Sequence, residues 1–365
     1  MQPRPNLKNH SVESLREKLA GAGHAPFRAD QIAGWMYARG EDDLTRMTDL
    51  GVELREQLAS EWDTRALALA ALDRSEDGTL KALLRAQDGA QIESVLIPEE
   101  DRTTLCVSTQ VGCAMACTFC ATGFLGFSRN LTTAEIVDQV CRMRTADPER
   151  RITNIVFMGM GEPLLNLPAV TEAIRILIHP KAFAMAPRRV TVSTVGLTPK
   201  IEELLRVAPV NLAISLHATT DEVRDRLVPL NRRFPLGELL DRLRALDTVN
   251  PRRPVFFEYT LIAGVNDREE DARRIVPLLA GIPAKLNLIP MNPHPSSPFA
   301  PPDEATIDRF LRIVAGDGMR VTLRRPRGAD IDAACGQLAL RRTDRREGIA
   351  PVAAESSAGM ASPKS

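Results

Sequence analysis

Thr104-Leu105-Cys106-Val107-Ser108-Thr109-Gln110-Val111-Gly112-Cys113-Ala114-Met115-Ala116-Cys117-Thr118-Phe119-Cys120 begins as a β-rich run and ends in three cysteines spaced C-x3-C-x2-C. A strand at 104–108 thus leads directly into a loop whose thiols are close enough to serve one metal centre. From here the chain alternates. Further candidate strands lie at 152–158, 189–193, 210–215, 255–262 and 285–289. Helical patterns follow in turn at 133–144, 168–178, 199–207, 236–246, 269–279 and 305–314. Six βα units in order predict an α/β fold with a parallel sheet, closed or partly closed into a barrel. The functional end of such a barrel is the C-terminal end of its strands. A strand at 320–324 and a short helix at 331–340 come next.

Upstream, residues 11–19, 28–37 and 51–61 carry apolar residues at helical spacing, and 80–86 and 91–97 read as a hairpin around Asp88-Gly89. The chain therefore divides into a small N-terminal helical domain (1–60), a short β extension (61–98), the barrel with its cysteine-bearing C-terminal segment (99–342), and a disordered tail (343–365). The 365 residues hold 47 basic and 47 acidic side chains, with 44% hydrophobic and 26% charged residues, as in ordinary soluble proteins. The first residues contain no apolar signal segment, and the longest apolar run, 66–72, is too short to cross a bilayer. A cytoplasmic protein without membrane contact is expected. Six cysteines in that compartment favour metal binding or catalysis over a disulfide framework.

Zero net charge excludes a uniformly basic nucleic-acid binder and permits a polarised one. Residues 1–100 carry 12 basic and 18 acidic side chains, while 320–347 carry 8 arginines against 4 acids around Cys335. Arg188-Arg189 and Arg232-Arg233 add basic pairs suited to phosphate contacts.

The triplet Cys113, Cys117, Cys120 has no matching second pair of ligands: Cys335 is alone and the five histidines are scattered. A closed structural zinc site needs four ligands, whereas a three-cysteine [4Fe–4S] site leaves one iron open. With Phe119 before the last cysteine and a (βα)6-type rhythm around it, the motif resembles the radical S-adenosylmethionine (SAM) enzymes. Gly159-Met160-Gly161-Glu162-Pro163-Leu164-Leu165-Asn166, Ser193-Thr194, Ser215-Leu216-His217, Ile289-Pro290-Met291-Asn292-Pro293 and the run Arg327 to Leu338 narrow the resemblance. Together they are similar to the dual-specificity ribosomal RNA/transfer RNA adenine-C2 methyltransferases, from the N-terminal helices to about Leu340.

That resemblance implies a partial (βα)6 barrel with an N-terminal RNA-binding accessory domain. It implies one [4Fe–4S] cluster on Cys113, Cys117 and Cys120, and two SAM molecules per turnover. SAM contacts are implied at Gly161, Glu162, Ser193, Ser215, Leu216, His217 and Asn292. Cys335 is implied as the residue that carries the methyl, Glu93 as the proton acceptor, and Cys106 as the resolving thiol that forms a transient disulfide with Cys335. The implied substrates are 23S rRNA in its peptidyl-transferase loop and the adenosine beside the anticodon of tRNA. A flavodoxin- or ferredoxin-type electron donor and a monomeric state complete the expectation.

The residues themselves leave alternatives. Glu93 is a lone acid in an apolar strand, and the residues alone favour a solvated face for it, since buried acids are uncommon; Cys106 is equally a core cysteine. Gly-flanked small residues around Cys335 suit a mobile nucleophile on a short helix, or core packing. Cys141, among Ile136, Val137 and Val140, reads as core. The N-terminal stretch 28–37 suits RNA binding or a packing face alike. Two other functions stay open: methylation of adenine C8, as in the related antibiotic-resistance enzymes, and a non-catalytic RNA-binding protein with structural zinc. The absence of G-x-G-x-x-G argues against a conventional Rossmann methyltransferase.

Overall fold

The computed structural model describes residues 4–340. The expected tail, 343–365, and Arg341, Arg342, Arg345 and Arg346 of the basic cluster lie outside the described residues.

Ser11 caps α1 (Val12–Gly21) by accepting from the Ser14 N–H, and Leu15 and Leu19 bury its inner face. Helix α2 (Arg28–Ala33) runs on into a π-helical stretch, Gly34–Arg39, and α3 (Val52–Glu61) follows. Next come β1 (Leu67–Arg74), β2 (Leu80–Ala86), β3 (Gln91–Pro98) and β4 (Thr103–Cys106). The cysteine loop lies between β5 (Gln110–Gly112) and β6 (Phe127–Asn130), with α4 (Ala121–Phe124) inside it. Then alternate α5 (Thr133–Ala146), β7 (Asn154–Phe157), α6 (Leu167–Ile178), β8 (Val190–Thr194), α7 (Thr198–Val207) and β9 (Asn211–Ser215). After them come α8 (Asp221–Leu227), α9 (Leu236–Arg244), β10 (Val255–Leu261), α10 (Glu269–Leu278), β11 (Ala284–Pro290), α11 (Glu304–Gly316) and β12 (Val321–Leu323).

One ten-stranded sheet has the order β1-β2-β3-β4-β7-β8-β9-β10-β11-β12, and β5-β6 form a separate pair. Pairing is parallel from β4 through β12 and antiparallel from β1 to β4. The expected βα order is therefore present as an open, partial barrel, and the hairpin at Asp88-Gly89 extends its sheet. The apolar run 66–72 leads into β1 and forms most of it. Among the described residues no helix is long and apolar enough to cross a membrane.

The N-terminal helices are joined to the barrel by a buried charge cluster. Lys8, fully buried, donates to Asp42 at 2.8 Å and to Asp138 of α5 at 2.6 Å. Asp138 also accepts the backbone N–H groups of Ala66 and Leu67, and Arg142 pairs with Asp42.

The helix expected at 331–340 is absent. Only a 3-10 turn, Ala329–Ile331, forms. Gly328, Asp332, Gly336 and Leu340 all have positive φ, which interrupts helical hydrogen bonding. The segment instead bonds to other elements. Arg188-Arg189 also differs from expectation: it precedes β8, at the end of the strand opposite the cavity, and Arg189 donates to Asn154.

Candidate active site

Strand ends and the cysteine loop enclose one cavity. Cys113, Cys117 and Cys120 line it, with Gly161 and Glu162 after β7, Ser193 of β8, Ser215 and His217 at β9, Asn292 after β11, and Cys335. All six cysteines are free thiols, Cys106 and Cys335 included.

The loop begins where the Cys113 N–H donates to the Gly126 carbonyl at 2.8 Å. Three soft thiols on one wall suit an iron–sulfur cluster. Among the described residues no three His, Cys, Asp or Glu side chains are gathered so as to hold a single ion. A cubane does not require that, because each thiolate binds a different iron.

Gly161 has φ +101°, and a Cβ there would lie 2.5 Å from Gln110 Cβ, so only glycine brings the backbone this close. Glu162 is buried; its carboxylate accepts from the N–H groups of Leu164 and Val195, both at 3.0 Å. Burial pushes its pKa up to about 7 against those hydrogen bonds. No cation pairs with it among the described residues, so an ammonium group on a ligand fits the site. His217, with φ 56°, is held neutral: burial pushes its pKa down to about 3. Its Nδ1 accepts from the Thr260 N–H at 3.0 Å, which leaves the proton on Nε2. The side chain of Leu216 is fully buried, and its backbone carbonyl accepts from Arg224.

Cys335 reaches the cavity because its segment is tied to the surrounding loops. Asn292 donates to the Cys335 carbonyl at 3.0 Å, and the Ala121 N–H, next to Cys120, donates to Gly336 at 2.7 Å. Thr122 donates to Leu338 and Gln337 to Pro293. The thiol is exposed to the cavity, and its enclosed position pushes its pKa up, with Arg324 opposing.

Cys106 and Glu93 sit beside this cavity and do not line it. Val95 of β3 is paired with Cys106 of β4, so Glu93, Val95 and Cys106 share one face. Glu93 is 3% exposed, which decides against a solvated face; its carboxylate is 3.4 Å from Lys81 Nζ and accepts the Leu340 N–H at 3.3 Å. It lines a second, polar cavity with Lys81, Asp330 and Asp332. Cys106 is buried, and burial pushes its thiol up, with Cys335 adding to the shift. Cys141 is in the core.

Sequence reasoning missed Arg224, Glu258 and Arg324. Buried Arg224 bonds the carbonyls of Val195, Ser215 and Leu216 and so fixes the β8 and β9 ends. Glu258 and Arg324 line the cavity. Glu258 was visible as a lone acid in an apolar strand, the same signal that marks Glu93.

This geometry can be set beside known proteins. The radical SAM superfamily profile matches residues 107–276, and the ribosomal RNA large subunit methyltransferase N-terminal domain profile matches 5–63. The dual-specificity RNA methyltransferase RlmN of Geobacter sulfurreducens is 51% identical over 333 residues, 91% of each chain. The chain belongs to the RlmN family of radical SAM methyltransferases. The RlmN of Syntrophotalea carbinolica is 48% identical across 99% of this chain and 95% of its own. A crystal structure of a radical SAM methyltransferase from Sphaerobacter thermophilus superposes with TM-score 0.86 at 45% identity, covering 92% of this chain and 99% of that one. RlmN membership brings a [4Fe–4S] cluster and SAM as cofactors, and the thiol wall and the uncompensated Glu162 fit both.

Proposed function

We propose that this chain methylates C2 of adenosine in 23S rRNA and in tRNA, with the methyl carried on Cys335. The delivery of that distant thiol into the cavity of Cys113, Cys117, Cys120 and Glu162 is the observation that carries the reading. Adenine C2 is an electron-poor sp² carbon without a lone pair, so it cannot displace a methyl from a sulfonium. When bound, the cluster with SAM supplies a carbon radical able to abstract hydrogen from a thioether methyl group.

Cys113, Cys117 and Cys120 hold the cluster. Glu162 takes the SAM ammonium, and Gly161 lets the backbone approach it. Ser193, Ser215, His217 Nε2–H, Asn292 and the backbone of Leu216 complete the SAM site. Cys335 takes a methyl from one SAM and a second is consumed for the radical, two per turnover. The activated Cys335 side chain, an S-methylene radical, would add to C2, and the odd electron of the adduct would pass back to the oxidised cluster as the C2 proton leaves, giving a closed-shell protein–RNA crosslink. Glu93, held beside Lys81, removes the C2 proton. Cys106 then attacks the crosslinked sulfur, and the methylated RNA leaves as a Cys106–Cys335 disulfide forms, later reduced by thiol exchange. The shared face of Glu93 and Cys106, under the segment that bears Cys335, supports these roles.

Residues 1–60 act as the RNA-binding accessory domain, supported by the profile matched there. Residues 61–98 extend the barrel sheet, 99–342 perform the chemistry, and 343–365 are a tail. The protein acts as a cytoplasmic monomer reduced by a flavodoxin- or ferredoxin-type donor. Mass spectrometry of RNA from cells with and without the protein tests the reaction. C2-methyladenosine dependent on the protein is expected, and C8-methyladenosine overturns the assignment.

A further inference from the structure

Strand register collects a group of side chains that the reaction above does not use. Glu258 of β10 is paired with Asn287 of β11, which is paired with Thr322 of β12. Alternation then places Glu258, Thr260, Asn287 and Ile289 on one face, together with Arg324, two residues past Thr322. The Arg324 N–H donates to the Leu288 carbonyl at 2.8 Å, so its backbone continues the β12 pairing. Glu258, Thr260, Ile289 and Arg324 line the cavity that holds Cys335.

Buried Glu258 is fixed by Asn287, whose amide donates to Oε1 at 2.8 Å, and its Oε2 faces Arg324 Nη1 at 4.0 Å. That ion pair orients the guanidinium without a close bond. Among the described residues the guanidinium makes no hydrogen bond, keeps 35% of its side chain exposed, and is the one Lys or Arg lining the cavity.

A guanidinium is a fork of N–H donors that stays charged. Adenine C2 lies between N1 and N3, both acceptors. Addition of carbon at C2 breaks the ring conjugation and loads electron density onto those nitrogens. A donor placed there binds the transition state more strongly than the ground state. We propose that Arg324, oriented by Glu258, donates an N–H to a ring nitrogen beside C2 of the target adenine and so holds C2 against Cys335. No proton is transferred. This inference rests on the methyltransferase reading and adds the residue that recognises the reacting edge of the base.

Cluster-loaded wild type, Arg324→Met and Arg324→Lys separate the possibilities. The steps that precede RNA, methylation of Cys335 and reductive cleavage of SAM, are read from protein mass and 5′-deoxyadenosine. Reductive cleavage of SAM is expected within about twofold of wild type in all three proteins, and transfer is read only from protein already methylated on Cys335, so that any effect of Arg324 on the free thiol drops out. Single-turnover transfer from methylated Cys335 to RNA is expected to fall about 10- to 100-fold in Arg324→Met, the loss of one charge-assisted hydrogen bond. Arg324→Lys should recover part of it. RNA with 1-deaza- or 3-deazaadenosine at the target should slow wild type similarly on one analogue, with no further loss for Arg324→Met on that analogue.

Fully additive losses on both analogues overturn the inference, as does unchanged transfer. Loss of reductive SAM cleavage assigns Arg324 to the cofactor instead. A uniform fall in RNA affinity with a salt slope reduced by about one assigns it to a phosphate. A wild-type protein that transfers no methyl to C2 removes the underlying reading, so the two failures are distinct.

Discussion

Gly112→Ala isolates the cysteine loop from the rest of the molecule. Gly112 ends β5 with φ +76°, and the next residue, Cys113, donates its N–H to the Gly126 carbonyl at 2.8 Å. A Cβ on Gly112 would stand 1.9 Å from that same carbonyl oxygen. The Gly126 peptide would have to retreat by more than about 1 Å in a close-packed turn. The Cys113 hydrogen bond goes with it, about 1 kcal/mol, and the left-handed backbone adds about 1–2 kcal/mol. Together these disfavour the loop geometry by about 2–3 kcal/mol, roughly 30- to 150-fold. Gly126→Ala is the internal control, since its φ is +71° but nothing lies within 4 Å of its would-be Cβ. It incurs the backbone strain alone. Because β5 and β6 lie outside the ten-stranded sheet, both variants should unfold near the wild-type midpoint. Iron and sulfide content after anaerobic reconstitution reads the outcome: a loss for Gly112→Ala clearly larger than the loss that strain alone brings to Gly126→Ala. Equal loading of the two would refute the reasoning, because it would show that the Cys113–Gly126 contact does not shape the metal site.

Cys335→Ala should still cleave SAM under dithionite yet transfer no methyl, and transfer retained in the RNA assay contradicts a methyl-carrying cysteine. Glu93→Gln should let the protein–RNA crosslink accumulate as a shifted band on a denaturing gel; normal turnover without that band removes Glu93 from the proton-accepting role. Lys8→Met leaves Asp42 and Asp138 buried with Arg142, and at Asp42 also the exposed Arg65, as the remaining cations, a loss of about 3–5 kcal/mol in denaturant unfolding. A change under about 1 kcal/mol would show that the cluster does not join the N-terminal helices to the barrel. Asp77 accepts from the Gly328 N–H at 3.0 Å and pairs with Arg327, tying the Cys335 segment to the β1–β2 turn. Its burial works against ionisation, but hydrogen bonds from Thr79, Gly328 and Ser75 hold its pKa at about 2. A depressed folded-state value means that its stabilisation is complete above the ordinary carboxylate range, near pH 4, and disappears toward pH 2. Protection of the 328–338 amides from hydrogen exchange should accordingly persist to pH 4 after correction for intrinsic rates, and Asp77→Asn should lower it above pH 4, with the difference fading toward pH 2.

The sheet was legible because parallel strands buried on both faces leave short apolar runs, and the helices between them have strong periodicity. All six expected barrel strands and the six helices that follow them are present within a few residues. The strand-end residues were legible for a related reason, since βα order alone places Glu162, Ser193, Ser215 and Asn292 at one end of the sheet. The segment around Cys335 was misread. Its small residues have a helical composition, but left-handed Asp332 and Gly336 impose a path decided by contacts with Asn292, Ala121 and Thr122, all distant in sequence. Glu258 and Arg324 stayed hidden because what unites them is cross-strand register, which one strand at a time does not reveal. Charge pairs misled in one place: Arg188-Arg189 resembles a phosphate contact until the strand direction puts it at the far end of β8.

The loss of the expected helix has a mechanistic consequence. A nucleophile on a helix would be positioned by its own backbone ladder, independent of the cavity. Here the backbone around Cys335 is satisfied by groups from the cysteine loop and the β11 end: Ala121 N–H to Gly336, Thr122 to Leu338, Asn292 to Cys335. Ala121 and Thr122 directly follow Cys120, so the placement of the methyl carrier is coupled to the order of the loop proposed to hold the cluster. Loop order and docking of Cys335 thus favour each other, and a variant that weakens one should weaken the other by the same free energy. For Gly112→Ala this predicts looser amide protection at 334–338 as well as poor iron loading, two readouts with one cause. Intact protection of that segment beside a disordered cysteine loop would separate them and show that Asn292 and Asp77 suffice to dock Cys335.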